Sequence, residues 1–166
     1  MLVAALATVL LVAGGCGDDS KPDDRPTTSS GSPTESSPPD SRVIRYGDDG
    51  ARIRSADDVS KLEGAPEAFK TFIAGLLKQA RADDDGACDV PPTYTVDAVD
   101  TSGFASGAFI QCGGYVIIWA TVGGSWREVW GGQENPGCEE MTRLGVPAAI
   151  AGDTCFDGEG EVPYKP

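Results

Sequence analysis

Acidic side chains in the C-terminal quarter of the chain are the residues best suited to catalysis. Glu128, Glu134, Glu139 and Glu140 lie within a short stretch of sequence. Two carboxylates placed across a cleft can hydrolyse a glycosidic bond. Because Asp and Glu are abundant in this chain, such pairs also arise by chance. A hydrolase acting through paired carboxylates is therefore one hypothesis, to be weighed against a binding role.

Aromatic side chains are concentrated in the same region. All three tryptophans, Trp119, Trp126 and Trp130, fall within residues 115–133. Indole faces stack on sugars or peptide side chains, and a buried indole N–H needs a partner. The candidate ligand face consists of Tyr115, Trp126, Glu128, Trp130 and Gln133. The alternative, which the pattern favours, is that these aromatic residues form the core of a sheet.

Several other chemistries are excluded by the residues that the chain lacks. It has no histidine, which rules out Ser-His-Asp and Cys-His catalysis and histidine-bound metals. The serine of residues 103–107 (GFASG) stands one place too late for a nucleophile elbow. Gly113-Gly114 and Gly123-Gly124 precede predicted strands, which is typical of turns and not of phosphate-binding loops. No cofactor is predicted.

Two acidic loops resemble the opening of a calcium-binding loop. In the loop that starts at Asp83, the twelfth position is Tyr94, where a bidentate glutamate is required. The loop that starts at Asp153 fails in the same way at Tyr164. We expect two solvated loops and no metal site.

The four cysteines after residue 16 are even in number, namely Cys88, Cys112, Cys138 and Cys155. In an exported domain this predicts two disulfides. Of the three connectivities, Cys88 to Cys112 with Cys138 to Cys155 is preferred because each bond closes a short segment. A four-cysteine metal site is disfavoured by the absence of any C-x-x-C pair.

Helical periodicity is clearest over residues 66–81. Apolar residues recur there at helical spacing, and Pro66 suits the first helical position. The apolar stripe is predicted to face the core. Ser55 and Asp58 form a helix-start pattern for a short helix that ends at Gly64. A second short helix is predicted over residues 137–144, with a break at Pro147 and a loose acidic tail.

Strand patterns dominate the remainder of the domain. Four strands are predicted at residues 94–99, 104–112, 115–122 and 125–130, joined by the two Gly-Gly turns. A short hairpin is predicted from residues 43–46 and 51–54. The fold class is therefore α+β, with one main amphipathic helix on an antiparallel meander of about four strands. This element order is similar to the cone-shaped, nuclear-transport-factor-like folds, a topological resemblance that implies no site.

The alternation also predicts the environment of the tryptophans. Trp119 lies in a strand that is apolar on both faces, so it should be buried. Trp126, Glu128 and Trp130 should share one face of their strand. A carboxylate is rarely buried without a partner, so at least one of Trp126 and Trp130 should border solvent.

The first residues of the chain carry an export pattern. Residues 2–12 are predominantly apolar and lead through Ala13-Gly14-Gly15 to Cys16 and then to an acidic stretch. A run of about eleven residues is too short to span a bilayer but suits a signal peptide. The pattern resembles the lipobox of bacterial lipoproteins over about the first 17 residues. The resemblance implies a signal peptide at 1–15 and a diacylglycerol on the Cys16 thiol.

Composition divides the rest of the chain into a tether and a domain. Residues 16–41 comprise the lipidated cysteine and a stretch rich in Asp, Ser, Thr and Pro, which cannot bury enough apolar surface to order itself. Residues 42–166 form one domain. This domain holds 20 Asp and Glu against 11 Lys and Arg, which argues against a nucleic-acid partner.

These observations predict a lipoprotein anchored to the cell membrane on its extracytoplasmic face. Its domain is expected to be a non-enzymatic module that binds an envelope protein or a carbohydrate or peptide ligand. The alternatives are the hydrolase described above and a regulatory or accessory partner of a membrane protein.

Overall fold

The computed structural model describes residues 41–134 and 136–166. The predicted signal peptide, Cys16 and the tether up to residue 40 lie outside the described residues. The strands are β1 Val43–Arg45, β2 Ala51–Ile53, β3 Thr93–Asp100, β4 Phe104–Ile110, β5 Gly114–Val122, β6 Ser125–Gly132, β7 Thr154–Phe156 and β8 Glu161–Pro163. The helices are a 3₁₀ helix at Asp57–Lys61, α1 Glu67–Ala82, α2 Cys138–Leu144 and α3 Ala148–Ala151.

The architecture is α+β, as predicted, but the strand count is twice the expected four. The four predicted strands are β3 to β6, and they form the expected antiparallel meander. Gly123 and Gly124 form the predicted two-residue turn, with φ of 60° and 80°. The other turn is shifted, because Gly114 already pairs with Ile110 in the sheet.

The predicted N-terminal hairpin is wrong, although both of its strands exist. β1 and β2 do not pair with each other; both pair antiparallel with β3. Val43 lies opposite Asp100 at one end of β3, and Ile53 lies opposite Tyr94 at the other. The turn between β1 and β2 thus carries the chain along the same sheet edge. The edge strand is formed by two short pieces, and β6 forms the opposite edge.

Helix α1 covers one face of this sheet, here called the helix face. Phe69, Ile73 and Leu77 recur at i, i+4 and i+8, and all three are buried, which confirms the predicted stripe. They belong to one buried cluster with Val96 and Ile117 of the sheet. The start of the 3₁₀ helix shows the predicted capping pattern.

In that capping pattern, the Ser55 backbone N–H donates to an Asp58 carboxylate oxygen at 2.9 Å. The Asp58 N–H in turn points to the Ser55 hydroxyl oxygen at 3.4 Å. The Asp58 N–H also donates to the Ser55 carbonyl at 3.2 Å, so the Asp58 carboxylate supplies the partner that the Ser55 N–H needs before the first helical turn.

The second sheet face, called the opposite face, packs against the C-terminal segment. Met141, Val146 and Ile150 form a buried cluster with Ile118 of β5. The expected loose tail is wrong, since β7 and β8 pair with each other. Strands of three residues are too short to show an alternating pattern in sequence. The Tyr164 hydroxyl, which donates to the Val146 carbonyl at 2.7 Å, holds the chain end against this cluster.

Both predicted disulfides are present. Cys88 bonds to Cys112, with Cα atoms 5.5 Å apart, and so links the segment after α1 to the β4–β5 turn. Cys138 bonds to Cys155, with Cα atoms 5.0 Å apart, and links the start of α2 to β7. None of the helices in the described part of the chain is long and apolar enough to cross a membrane.

Candidate ligand-binding site

A β-bulge in β6 decides which aromatic residues lie together. Ile118 pairs with Trp130, whereas the next residue, Trp119, pairs with Glu128. Val129 is therefore an extra residue in β6, and the alternation of side chains shifts there. Glu128 points to the helix face with Trp119, and Trp130 points to the opposite face. The prediction that Trp126, Glu128 and Trp130 share one face is wrong for Trp130.

Trp119 is the centre of the helix-face core. Its side chain has no exposed surface, as predicted. Its ring packs edge-on to Phe69 of α1, with 5.9 Å between ring centroids. A side chain at Gly107 on β4 would collide with the Trp119 ring, so the ring lies directly over this glycine. Among the described residues, no hydrogen-bond partner faces the Trp119 indole N–H.

Trp126 lies on the same face but is only half-buried. It packs against Phe69, with 4.7 Å between centroids and 60° between ring planes. One side of the indole is therefore fixed by the core and the rest borders solvent. Trp130 is also half-buried, so the prediction that at least one of the two tryptophans borders solvent is confirmed.

Glu128 is held beside Tyr115 by the absence of a side chain at Gly131. A Cβ atom at position 131 would lie 2.6 Å from a Glu128 carboxylate oxygen and 3.1 Å from Cε2 of Tyr115. The carboxylate and the phenol ring thus occupy the space above Gly131. We name Tyr115, Trp126 and Glu128 the aromatic–carboxylate site.

The electrostatics of the aromatic–carboxylate site follow from partial burial. Burial raises the pKa of Glu128, and a hydrogen bond with Tyr115 partly offsets this. Burial also raises the pKa of Tyr115, and the neighbouring Glu128 charge adds to the effect. Glu128 is nevertheless an exposed residue of β6, so its carboxylate is accessible to a ligand.

A row of aromatic rings supports this site from behind. Tyr94, Phe109 and Tyr115 are cross-strand neighbours on β3, β4 and β5. Their ring centroids are 4.9 Å and 5.7 Å apart along the row. Tyr94 is buried, which together with Tyr115 and Glu128 raises its pKa to about 12. The sequence prediction missed Tyr94 and Phe109, although the paired alternation of β3 and β4 could have placed them here.

The remaining predicted ligand-face residues lie elsewhere. The Trp130 ring covers Gly132 on the opposite face, where a Cβ atom would come within 2.7 Å of the indole. Gln133 follows the end of β6 and is exposed. Of the five predicted residues, the structure therefore brings three together.

The carboxylates proposed for hydrolysis are distributed over both faces of the sheet. Glu128 lies on the helix face, whereas Glu139 and Glu140 belong to α2, which packs on the opposite face. Glu140 forms an ion pair with Arg143 at 2.5 Å, which lowers the pKa of Glu140. The sheet thus separates Glu128 from both α2 carboxylates.

The two acidic loops use their carboxylates in turns. Asp84 accepts hydrogen bonds from the Gly86 N–H and the Gln111 side chain, at 3.1 Å and 2.9 Å. Asp157 accepts bonds from the N–H groups of Glu159 and Gly160. Within residues 41–134 and 136–166, no group of three or more Cys, Asp and Glu residues is arranged to hold a metal ion.

Comparison of this chain with protein-family models, with curated proteins and with solved structures finds no match. The function therefore has to be argued from the residues and their geometry.

Proposed function

We propose that this chain is a lipid-anchored protein of the cell envelope whose domain binds a ligand at the aromatic–carboxylate site. The anchor is supported by the sequence alone, through the apolar residues 2–12, the small residues before Cys16, and the acidic stretch after it. A diacyl chain on Cys16 would supply the membrane affinity of an otherwise polar chain.

The observation that carries the binding role is an exposed carboxylate, hydrogen-bonded to Tyr115, beside a half-buried indole on the same face of β6. Trp126 is fixed by Phe69 on one side, so its free surface can stack on a ligand without a large loss of side-chain freedom. Glu128 lies two residues along the same strand and accepts hydrogen bonds. An apolar surface next to a strong acceptor suits a ligand with an apolar face and neighbouring O–H or N–H donors.

A carbohydrate is the ligand class that fits these features best. A sugar ring presents C–H groups on one face and hydroxyl donors around its edge. The pair Glu128 and Tyr115 could bind two such hydroxyls while Trp126 packs on the ring. A peptide offers the same groups less regularly and is the second class to test.

Binding is favoured over hydrolysis by the separation of the acidic residues. Hydrolysis needs a second carboxylate within about 5–10 Å of the first. The α2 carboxylates lie across the sheet from Glu128, and Glu134 follows the end of β6. This arrangement supports Glu128 as a ligand acceptor.

The binding role can be tested with soluble cell-wall glycan fragments as the probe. Trp126→Ala and Glu128→Gln should each weaken binding at least tenfold, measured by calorimetry or by tryptophan fluorescence. Trp130→Ala is the matched control, because it removes the same side chain from the same strand on the other face. An equal loss of glycan affinity in Trp126→Ala and Trp130→Ala would argue against the aromatic–carboxylate site. If the protein bound peptides and no glycan, the ligand would be assigned as a peptide.

The anchor has its own test. Cys16→Ser should leave the chain unprocessed or release it from the membrane fraction. A variant that stays membrane-bound with a normal mature mass would contradict lipidation.

A further inference from the structure

The two disulfides of the domain differ in how deeply they are buried. Cys112 is exposed and Cys88 is only partly buried, and both lie outside the helices and strands. Cys155 is 6% exposed and belongs to the buried cluster on the opposite face, against which Cys138 packs. A reductant can therefore approach the first bond at Cys112, whereas the core covers the second bond. Exposed disulfides are the ones most readily reduced.

The backbone at Cys112 is also unfavourable. With a φ of 51°, Cys112 is the only non-glycine residue with a positive φ in the described part of the chain. Such values favour glycine, because the Cβ atom of any other residue crowds the backbone. Cys138 and Cys155 belong to α2 and β7 and have no such φ. Loss of the Cys88–Cys112 bond would thus free the β4–β5 turn to leave an unfavourable conformation.

The segment that carries Cys88 has few other attachments. Residues 83–91 contain neither helix nor strand, and all except Cys88 are exposed. Besides the disulfide, one hydrogen bond in the described part of the chain joins this segment to the β4–β5 turn, from the Gln111 amide to Asp84 at 2.9 Å. Val90 and Ile110, each two residues from one of the cysteines, are 50% and 40% exposed. Reduction would therefore let the segment move away from the turn.

Charge alone does not separate the two bonds, because acidic residues flank both. Four aspartates lie within five residues of Cys88. Four Asp or Glu residues lie within two positions of Cys138 or Cys155. Negative charge repels an attacking thiolate at either bond. Exposure and backbone geometry are thus the features that distinguish the two disulfides.

We propose that Cys88–Cys112 is a reversible thiol–disulfide exchange site, whereas Cys138–Cys155 is permanent. The reductant is a dithiol. One of its thiolates attacks the Cys112 sulfur, the bond between the two sulfurs breaks, and the Cys88 sulfur leaves as a thiolate that takes a proton from water. The second thiol of the reductant loses its proton and attacks the reductant's sulfur in the mixed disulfide, which releases the Cys112 thiolate to be protonated in turn. Two electrons pass to the protein, and the reductant becomes a disulfide.

Reduction would act on the aromatic–carboxylate site through the β4–β5 turn. Ile110 and Gly114 are the last pair before this turn, and Phe109 and Tyr115 are the next pair. Tyr115 is hydrogen-bonded to Glu128. Loosening of the turn is therefore expected to weaken ligand binding, a consequence that rests on the proposed function.

Differential reduction tests the exchange site. The mature chain, exported behind a conventional signal with Cys16→Ser so that its disulfides form, is incubated with dithiothreitol in the absence of denaturant. Free thiols are trapped with iodoacetamide and located by peptide mapping. We expect Cys88 and Cys112 to be labelled at least about tenfold faster than Cys138 and Cys155. Equal rates in the native protein would overturn the proposal.

The same labelling in urea is the control for the local sequence around each cysteine. Unfolding exposes both bonds, so the difference between their rates should fall below about threefold. A difference that persisted unchanged in urea would overturn the proposal, because the folded structure would then not be its cause.

Hydrogen exchange measures the effect on the turn without any ligand. After selective reduction, the amides of residues 109–117 should exchange at least about tenfold faster than in the oxidised protein. Cys88→Ser with Cys112→Ser should reproduce this increase. The matched pair, Cys138→Ser with Cys155→Ser, should change exchange in residues 109–117 by less than about threefold. Unchanged exchange after selective reduction would overturn the link between the disulfide and the site.

Soluble cell-wall glycan fragments then test the regulation of binding. Their affinity should fall at least about threefold in Cys88→Ser with Cys112→Ser, and an unchanged affinity would overturn the regulation. If the oxidised wild-type protein bound no glycan, the proposed function would be refuted, while labelling and hydrogen exchange would still decide whether Cys88–Cys112 is the exchange site.

Discussion

Removal of the Trp119 side chain is the strongest test of the packing behind the site. The Trp119 ring has no exposed surface, and it lies between Phe69 and Tyr94. Gly107, directly beneath the ring, has no side chain that could fill the vacated space. Truncating a buried Trp to Ala costs about 3–5 kcal/mol, from a total stability of about 5–15 kcal/mol. At about 4 °C per kcal/mol, Trp119→Ala should lower the Tm by about 12–20 °C.

The assay is thermal or urea unfolding monitored by far-UV circular dichroism, with both disulfides intact. Tryptophan fluorescence is unsuitable, because the variant itself removes one of the fluorescent rings. Trp126→Ala, which removes a half-buried ring, should cost less than half as much. Trp119→Phe should lower the free energy of unfolding by less than about 2 kcal/mol. The smaller ring loses packing, but the variant also removes a buried indole N–H that has no described partner, and such a group destabilises a protein by about 1–3 kcal/mol. A Trp119→Ala loss within about 1 kcal/mol of that of Trp126→Ala would refute the assigned packing.

Three further outcomes are expected. Reduction should cost about 3 kcal/mol for each disulfide, since the bonds join residues 24 and 17 positions apart; free thiols in unreduced, denatured protein would contradict both bonds. Burial raises the Glu128 pKa, so wild-type stability falls as pH rises from the ordinary Glu range through that raised pKa. Glu128→Gln should therefore raise the Tm at neutral pH but not at acidic pH. An equal change in Tm at the two pH values would contradict a raised Glu128 pKa. Gly131→Ala should displace the Glu128 carboxylate and weaken glycan binding while lowering the free energy of unfolding by less than about 1 kcal/mol. Unchanged binding would show that Glu128 does not contact the ligand.

Features that depend on local pattern could be predicted from the sequence. The α1 stripe at Phe69, Ile73 and Leu77 repeats at the helical period, and the structure places all three in the core. The Gly123-Gly124 turn has the positive φ values that glycine adopts without strain. The disulfides followed from the even number of cysteines and the short segments that each bond closes.

Features that depend on pairing between distant segments could not be predicted from the sequence. Residues 126–130 (WREVW) are of mixed character on both faces, and the extra residue at Val129 becomes visible only against the register of β5. The same limit applies to β1 and β2, whose composition permits a hairpin but whose pairing is decided by β3. As a result, the sequence supplied the residues of the site but assigned Trp130 to the wrong face.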